Sequence, residues 1–300
     1  MQQLLNGLML GLMYALVAVG FTLFFGVLNV IHFAHGDIYM LGAFAALALT
    51  ALWGILGVDV SWMVVPLTFV GAMVLTGLFG VLAGRICVKP LSKSPPLVIL
   101  LATLMLGVVI REGVLIFYPR GADPKLFPSL FPSGFFEVAG AIIRYENLFI
   151  LAVGFGTIVV VQQLITRTRI GAAVRAVAQD PEAAMMMGVD MDRTVDFTFL
   201  LGSALAAVAG ILNGIYYSEV MFTMGITAGV IGFSSAVIGG LGNIYGAIVG
   251  GLLFGVLQTF AAAFIPGGSE FKDVFAFGVV MLFLVFKPTG ILGEKEVQRV

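Results

Sequence analysis

Apolar runs recur along the whole chain, and they constrain its fold more than any other feature. Each run of about 20 residues is long enough to cross roughly 30 Å of hydrocarbon as an α-helix. The composition agrees, because 60% of the 300 residues are hydrophobic and 10% are charged, whereas a soluble domain has about 25% charged residues. A membrane β-barrel would instead need short segments of alternating polarity, which are absent. The sequence therefore predicts an all-α fold, a polytopic transmembrane bundle of eight or nine helices.

Eight apolar segments are predicted to cross the membrane, and a ninth, weaker one is predicted at 225–238. The ninth is short and rich in glycine and other small residues. Interrupted segments of this kind line cavities or repeat interfaces, because non-helical backbone is tolerated only where protein or water covers it. We expect residues 1–300 to form a single transmembrane domain. The eight stronger segments are 4–27, 38–55, 63–86, 98–118, 148–165, 195–217, 245–265 and 274–286.

The distribution of basic residues predicts the orientation, because cytoplasmic loops are enriched in Lys and Arg. Ten of the fifteen basic residues follow the third or fifth span or lie in the C-terminal tail, against four on the other side. This bias predicts an external N-terminus and a cytoplasmic C-terminus, which requires an odd number of crossings and so a crossing at 225–238. A re-entrant loop there would change the count. The ten are Arg85, Lys89, Lys93, Arg167, Arg169, Arg175, Arg193, Lys287, Lys295 and Arg299, and the four are Arg120, Lys125, Arg144 and Lys272.

Polar residues interrupt the junction between the first and second spans. Asn29, His32, His35 and Asp37 are candidate pathway residues, because polar groups at membrane depth are costly and face a bundle interior. In one interpretation, 29–37 is a helix break that lines the pathway or closes its inner gate. In the other, it is a cytoplasmic hairpin with both histidines at the headgroup level. Three of these side chains could offer metal ligands, but no metallopeptidase signature accompanies them and no metal site is predicted.

A short internal echo lies near the two ends of the chain. Gly36 to Tyr39 reads GDIY and Gly242 to Tyr245 reads GNIY, and a Gly-Ala pair follows each copy. Repeats in transporter folds often bracket the translocation path. We interpret the echo as a candidate structural repeat, although glycine-rich membrane sequence also produces such echoes by chance. Asn243 within the second copy, together with Asn213, completes the set of candidate pathway residues.

The fourth predicted span contains two adjacent charges, Arg111 and Glu112. An isolated charge at this depth would cost several kcal/mol or more. One of them could meet a substrate carboxylate; alternatively, both side chains extend toward the outer interface. The connection 118–147 that follows is the longest external one and contains several prolines. It is either a docking platform over the membrane surface or a simple loop.

The cytoplasmic loop 166–194 carries the clearest local signals. Asp180 is suited to cap a helix that has Pro181 at its first position. Glu182 then falls in the first turn, where the helix dipole favours a negative charge. Gly188 can end the helix in the left-handed conformation. The sequence therefore predicts a short helix, ending near position 187, whose alanine and methionine surface suits a groove on another protein.

This loop also carries a resemblance. Glu182-Ala183-Ala184, three methionines and Gly188 match the EAAxxxG pattern by which bacterial ABC importer permeases engage their ATPase subunits. Three longer blocks extend the match: GLMYALVAVGFTLFFGVLNVIHFAHGDIYMLGAF, RAVAQDPEAAMMMGVD and GGLGNIYGAIVGG, in that order. Over essentially its whole length, the chain resembles the LivH-type permeases of branched-chain amino acid importers. The longer EAA pattern continues into an I-x-LP segment, which is absent from 195–201. This departure weakens the match to the larger EAA-loop class but not the resemblance to the LivH-type permeases.

The resemblance implies one half of a translocation pathway for branched-chain amino acids or a related small polar solute, driven by ATP through alternating access in a bacterial inner membrane. It implies three kinds of partner: a second, LivM-like permease, two cytoplasmic ATP-binding subunits and a periplasmic substrate-binding protein. No GxxxxGK[ST] pattern occurs, so no enzyme activity or cofactor is expected in this chain, and ATP and Mg belong to the ATPase subunits. The implied coupling residues are Arg175, Asp180, Pro181, Glu182, Ala183, Ala184 and Gly188.

Two other classes of function remain as alternatives. A self-sufficient secondary transporter or channel for small solutes would normally carry charged coupling residues in mid-membrane, and this chain has few. An intramembrane enzyme would have to use His32, His35 and Asp37. The net charge of −1 and the scattered basic residues exclude nucleic acid as a partner, which leaves membrane lipid and other proteins.

Overall fold

A computed structural model describes residues 1–58, 64–92, 94–128, 134–138 and 140–293. Within these residues the chain forms eleven α-helices and four short strands. The helices are α1 (Gln2–Leu28), α2 (His35–Ile55), α3 (Val64–Ala83), α4 (Pro96–Phe117), α5 (Tyr145–Arg167), α6 (Arg169–Gln179), α7 (Pro181–Met186), α8 (Met191–Tyr217), α9 (Met224–Gly239), α10 (Ile244–Phe264) and α11 (Gly268–Phe286). The strands are β1 (Lys125–Leu126), β2 (Phe135–Val138), β3 (Ala141–Arg144) and β4 (Glu219–Val220).

The predicted all-α bundle is confirmed, and every predicted span coincides with a helix. Seven of the described helices are long and apolar enough to cross a membrane: α1, α2, α3 with its continuation to Leu91, α4, α5, α8 and α10. The weak segment at 225–238 is the shorter apolar helix α9, with 16 residues. The segment at 274–286 belongs to α11, which begins earlier, with a charged first turn. The predicted start at 63 and the basic residues Lys93, Lys295 and Arg299 lie outside the described residues.

Helix α1 forms the centre of the bundle. Its residues from Met9 to Phe24 are buried without interruption, and α5, α8, α9 and α10 pack around it. The approach of α10 is close because both helices carry glycine at the contact. A Cβ added at Gly255 would lie 2.2 Å from the Gly11 nitrogen. Small residues of this kind stabilise membrane helix pairs by allowing backbone-to-backbone van der Waals contact.

The bundle has two distinct ends. At the hairpin end, β2 and β3 form an antiparallel hairpin, β1 pairs with β4, and the backbone N–H of Ile142 donates to the Gln2 side chain (2.9 Å). At the opposite, α7 end, Gly26 of α1 lies against Ala178 of α6. Helix α10 runs antiparallel to α1, and Leu292 donates a backbone hydrogen bond to Gly239 (2.9 Å). The N-terminus and the described C-terminal residues therefore lie at opposite ends, as an odd number of crossings requires.

Helix α2 begins inside the bundle rather than at its surface. The chain turns at Asn29 and folds back, so that the His35 ring fills the space beside Gly20 on α1, where an added Cβ would lie 2.2 Å from it. His32 and His35 are 1% and 0% exposed. The interpretation that placed both histidines at the headgroup level is therefore wrong, because glycine leaves room for the segment to re-enter the bundle.

Helices α2 and α9 cross at a cluster of glycines. A Cβ added at Gly36 would lie 2.3 Å from the Gly225 carbonyl oxygen and 2.7 Å from the Gly229 Cα. The first copy of the sequence echo thus begins α2 at a buried crossing. The second copy begins α10 after Gly242, and its Tyr245 side chain is 57% exposed. Both copies start helices, in different surroundings, and a structural repeat stays a prediction.

Candidate functional site

A cavity of about 370 Å³ lies inside the bundle. It opens toward the hairpin end, because Glu219 belongs to β4 and Tyr217 on its wall is 46% exposed. Its deeper wall is formed by Tyr14, Tyr39 and Gln258, which are 7%, 2% and 1% exposed. The lining residues come from α1, α2, α8, α9, α10, α11 and the segment around β4: Tyr14, Tyr39, Asn213, Tyr217, Glu219, Met221, Thr223, Met224, Thr227, Ala228, Ile231, Gln258, Lys272 and Asp273.

A chain of hydrogen bonds fixes the deep wall of this cavity. The Tyr14 hydroxyl donates to the Gln258 carbonyl oxygen (2.7 Å), and the Gln258 amide donates to a carboxylate oxygen of Asp273 (2.5 Å). The chain links α1, α10 and α11. A buried amide is stable only when its donors and acceptor are satisfied, so these two bonds hold the Gln258 side chain in one position.

Of the predicted pathway residues, only Asn213 lines this cavity. Asn29 is exposed at the end of α1, where it adopts a left-handed conformation (φ 52°). Asn243 caps α10: its side-chain oxygen accepts from the Gly246 N–H (3.1 Å), and its amide donates to the Leu292 carbonyl (3.1 Å). Asn29 therefore lies at the C-terminal end of α1, and Asn243 lies at the N-terminal end of α10. Both residues are at the α7 end, away from the cavity.

The two histidines lie in a cage of aromatic rings below the cavity. His35 packs against Phe21 and Phe24, with ring centroids 4.9 and 5.2 Å apart, and its Nε2 lies 3.2 Å from the Val17 carbonyl oxygen. His32 packs between Phe24 and Phe199, at 4.9 and 5.2 Å. Phe21 and Phe24 follow Tyr14 along α1 in the direction of the α7 end. This histidine cage (Phe21, Phe24, His32, His35 and Phe199) therefore fills the bundle between the cavity and that end.

Asp37 forms an ion pair with Arg111 of α4, at 3.3 Å. The side chains are 10% and 17% exposed. Gly107 makes the approach possible, since a Cβ there would lie 2.4 Å from the Asp37 carboxylate. The interpretation that Arg111 extends to the interface is therefore wrong, and the arginine faces a carboxylate of its own chain rather than an open site. Its neighbour Glu112 is exposed.

The predicted short helix is confirmed as α7, together with its caps. The Asp180 carboxylate accepts from the backbone N–H groups of Glu182 and Ala183 (3.1 Å each), Pro181 is in the first turn, and Gly188 has φ +85°. Ala184 is the buried contact of α7. The three methionines that follow it, Met185, Met186 and Met187, are 50%, 88% and 86% exposed.

The position of α7 is set by the helices on either side of it. Arg175 of α6 donates to the Ile165 carbonyl at the end of α5. Near the start of α8, Asp196 pairs with Arg85 (2.7 Å) and Lys89 (2.8 Å), which continue α3. The α7 end thus presents an apolar, methionine-rich helix that is held by a framework of hydrogen bonds and ion pairs. Its docking role stays a prediction.

Apolar helices around a cavity with polar and charged side chains in its wall, with a further helix exposed at one end, define a multi-pass membrane protein with the features of a solute permease. The chain belongs to the family described as branched-chain amino acid transport system / permease component, whose model matches residues 3–285. The resemblance seen in the sequence is thereby confirmed.

Full-length relatives support the same assignment. The chain is 36% identical to the high-affinity branched-chain amino acid transport system permease protein BraD of Pseudomonas aeruginosa, with 100% of this chain and 98% of BraD covered. It is 35% identical to LivH of Escherichia coli strain K12, over 100% and 97% of the two chains. Among solved structures, PsaBC from Streptococcus pneumoniae in complex with Fab has a similar fold, with a TM-score of 0.50 and 17% identity over 96% of this chain and 93% of that one.

Tyr14, Tyr39, Gln258 and Asp273 line the cavity but were not predicted as pathway residues from the sequence. One signal was available: Gln258 is an uncharged but strongly polar residue within an otherwise apolar span, and such residues usually face a bundle interior or cavity. The tyrosines carried no comparable signal, because a tyrosine also suits a membrane interface.

Proposed function

We propose that this chain is one transmembrane subunit of an ATP-driven importer. It forms half of the pathway for branched-chain amino acids or a related small polar solute. The family and the names of the full-length relatives support the solute class. The arrangement of the bundle supports alternating access, because the cavity opens toward one end and the histidine cage fills the bundle on the other side. To release solute at the α7 end, the helices that form the cage have to separate.

Helix α7 is the element that we assign to the ATPase. Three methionines in sequence expose their side chains to solvent, and flexible, apolar methionine surfaces suit grooves on a partner protein. The caps at Asp180 and Gly188 hold this surface in a fixed shape. ATP and Mg would then be bound and ATP hydrolysed on the partner subunits. The residues assigned to coupling are Arg175, Asp180, Pro181, Glu182, Ala183, Ala184 and Gly188.

The α7 end faces the cytoplasm in this proposal, and the hairpin end faces outward. Basic side chains support this orientation, since Arg85, Lys89, Arg167, Arg175 and Arg193 all lie toward the α7 end. A periplasmic binding protein would deliver solute at the hairpin end. A second, LivM-like permease would complete the membrane unit in the bacterial inner membrane, and two ATP-binding subunits would dock below.

The exposed methionine helix is the observation that carries the proposal, and Gly188 gives the sharpest test of it. A valine there would have to adopt φ near +85°, which is strained for a β-branched residue. We expect Gly188→Val and Glu182→Arg to abolish co-purification of the ATPase while the permease still inserts. Gly278→Val is the matched control, because an added Cβ there meets no atom within 4 Å and its backbone is helical.

Two results would overturn this assignment. Undiminished co-purification of the ATPase with both α7 variants would contradict the coupling role. Transport of an amino acid by the purified chain alone in liposomes, without any ATPase, would instead support the alternative of a self-sufficient transporter or channel.

A further inference from the structure

The membrane-spanning helix α4 carries an exposed carboxylate. Glu112 is exposed, and its side chain forms neither an ion pair nor a hydrogen bond with any residue that the structure describes. The adjacent Arg111 does not compensate it, because the Arg111 guanidinium pairs with Asp37 of α2 (3.3 Å). A charge within a span is costly, and such residues almost always face protein or a water-filled cavity. The surroundings of Glu112 in the single chain therefore do not account for its presence in α4.

Glu112 lies within the span rather than at its end. It stands five residues before Phe117, the last residue of α4, which is about 7.5 Å along the helix axis at 1.5 Å per residue. Phe117 lies toward the hairpin end, because the chain continues from there to β1. Bonds from Cα to Cβ tilt toward the N-terminus of a helix, which in α4 is the α7 end. The Glu112 side chain therefore starts deeper into the span and away from the headgroups at the hairpin end.

The surface of α4 around Glu112 is apolar and exposed. Met105, Val109 and Ile116 are 58%, 67% and 71% exposed, and their spacing of three or four residues places them on one side of the helix with Glu112. Helix α4 is also, with α5, the least enclosed of the spans in the described part of the chain. We call Met105, Val109, Glu112 and Ile116 the α4 face. The buried residues of α4 are on its opposite side: Ile99, Thr103, Gly107, Ile110 and Val114.

The chemistry of the α4 face restricts what can cover it. Lipid tails would match the apolar side chains but would leave the carboxylate without a donor. A second copy of this chain, related by a two-fold axis with α4 against α4, would bring two Glu112 carboxylates to the same depth, where like charges repel. A helix of a different membrane protein, apolar but with a Lys or Arg at that depth, satisfies both the apolar side chains and the charge.

We propose that the α4 face is the contact with the second permease subunit, and that Glu112 accepts a hydrogen bond from a basic side chain on a helix of that subunit. The inference rests on the proposed import function and adds to it the surface on which the two permeases meet. It also makes the pair a heterodimer, because the partner supplies the positive charge that the α4 face lacks. Met105, Val109 and Ile116 then exclude lipid and water from the charge pair.

Photo-crosslinking in membranes of cells that express the complete importer tests the surface directly. A benzophenone amino acid replaces Val109, and mass spectrometry identifies the adduct formed on illumination. Val70 is the matched control position, because it is 57% exposed on α3 and lies six residues from the hairpin-end terminus of that helix. We expect an adduct with the second permease from position 109 and none with that subunit from position 70. An adduct at position 109 with a second copy of this chain, or with lipid alone, would overturn the proposal.

Substitutions of Glu112 test the role of the charge. Glu112→Lys should abolish co-purification of the second permease, because two positive charges would meet. Glu112→Leu should weaken the association about tenfold or more, because it leaves the partner's donor buried without an acceptor. Val70→Lys, which places the same lysine on α3, should leave co-purification unchanged. Undiminished co-purification with both Glu112 variants, or an equal loss with Val70→Lys, would contradict the proposal.

The stability of the purified single chain distinguishes a contact between subunits from one within the chain. Glu112→Leu removes a charge from an apolar surface, so it should unfold at the same SDS concentration as the wild type or a higher one. Unfolding of this variant at a lower SDS concentration would assign the carboxylate to a contact within the chain and would refute the proposed role.

Cellular uptake separates this inference from the import function. Leucine uptake that depends on the ATPase, together with normal co-purification and uptake in Glu112→Lys, would refute the α4 face as the contact and leave the import function standing. An adduct between position 109 and a second membrane subunit, together with leucine uptake that is unchanged when the gene is deleted, would refute the import function and leave the contact standing.

Discussion

Replacing Gly36 by alanine tests the crossing on which the start of α2 depends. The added Cβ would lie 2.3 Å from the Gly225 carbonyl oxygen and 2.7 Å from the Gly229 Cα. An ordinary contact between carbon and a carbonyl oxygen is about 3.3–3.6 Å, so the two helices would have to separate by about 1 Å. Both opposing atoms belong to backbone and cannot rotate away. Overpacking of this kind costs about 1–3 kcal/mol, and a rigid neighbour favours the upper end.

The free energy of unfolding of the purified protein in mixed micelles, titrated with SDS and followed by circular dichroism, measures this cost. We expect Gly36→Ala to lower it by about 3 kcal/mol. Gly113→Ala is the control, because an added Cβ there meets no atom within 4 Å, and alanine is the better helix former by about 0.5–1 kcal/mol. Uptake should fall as well, since Tyr39 of the same helix lines the cavity. Equal stability of Gly36→Ala and the wild type would refute the close crossing.

Three further substitutions test the Asp37–Arg111 ion pair, the Tyr14–Gln258 hydrogen bond and the left-handed cap at Gly188. The first two are measured by the same SDS titration, and the third is measured by limited proteolysis. Arg111→Met should lower the free energy of unfolding by about 3 kcal/mol, because Asp37 is then buried without its partner; adding Asp37→Asn should recover most of that loss, and no recovery would contradict the pairing. Tyr14→Phe should cost about 1–3 kcal/mol, because it leaves the Gln258 carbonyl oxygen without its donor; an unchanged value would count against the hydrogen-bonded chain. Gly188→Val should destabilise α7 by at least about 1–2 kcal/mol through backbone strain, seen as faster limited proteolysis within the loop 166–194, and an unchanged cleavage rate would argue against the left-handed cap.

Features set by local rules were predictable from the sequence. The helices follow from apolar runs long enough to cross a bilayer. Helix α7 follows from the order of Asp180, Pro181 and Gly188, each of which acts within its own turn of the chain. The predicted end of α7, near position 187, lies one residue beyond the observed end at Met186. The agreement is this close because capping residues specify a helix terminus through local contacts, without help from the rest of the fold.

Features set by distant contacts were not predictable. The sequence left two interpretations of the histidines open, a helix break inside the bundle and a surface hairpin, because they stand between two spans. The space that receives His35 is created by Gly20 on the preceding helix. The cavity wall depends on a hydrogen bond between Tyr14 and Gln258, which are 244 residues apart. The spacing of apolar residues within one helix carries no information on such a pair. In α1 this spacing does not even predict which face is buried, because apolar residues occupy every face from Met9 to Phe24.

The central position of α1 also has a consequence for how the protein is made. Helix α1 is the most enclosed of the membrane-spanning helices that the structure describes, and it is synthesised before α5, α8, α9 and α10, which surround it. In water, such an apolar helix would aggregate before the helices that cover it are synthesised. In a bilayer, lipid tails are as apolar as the leucines that later replace them, so exposure of the helix to lipid costs little free energy. Helix α1 can therefore insert before these four helices and act as the template on which they assemble.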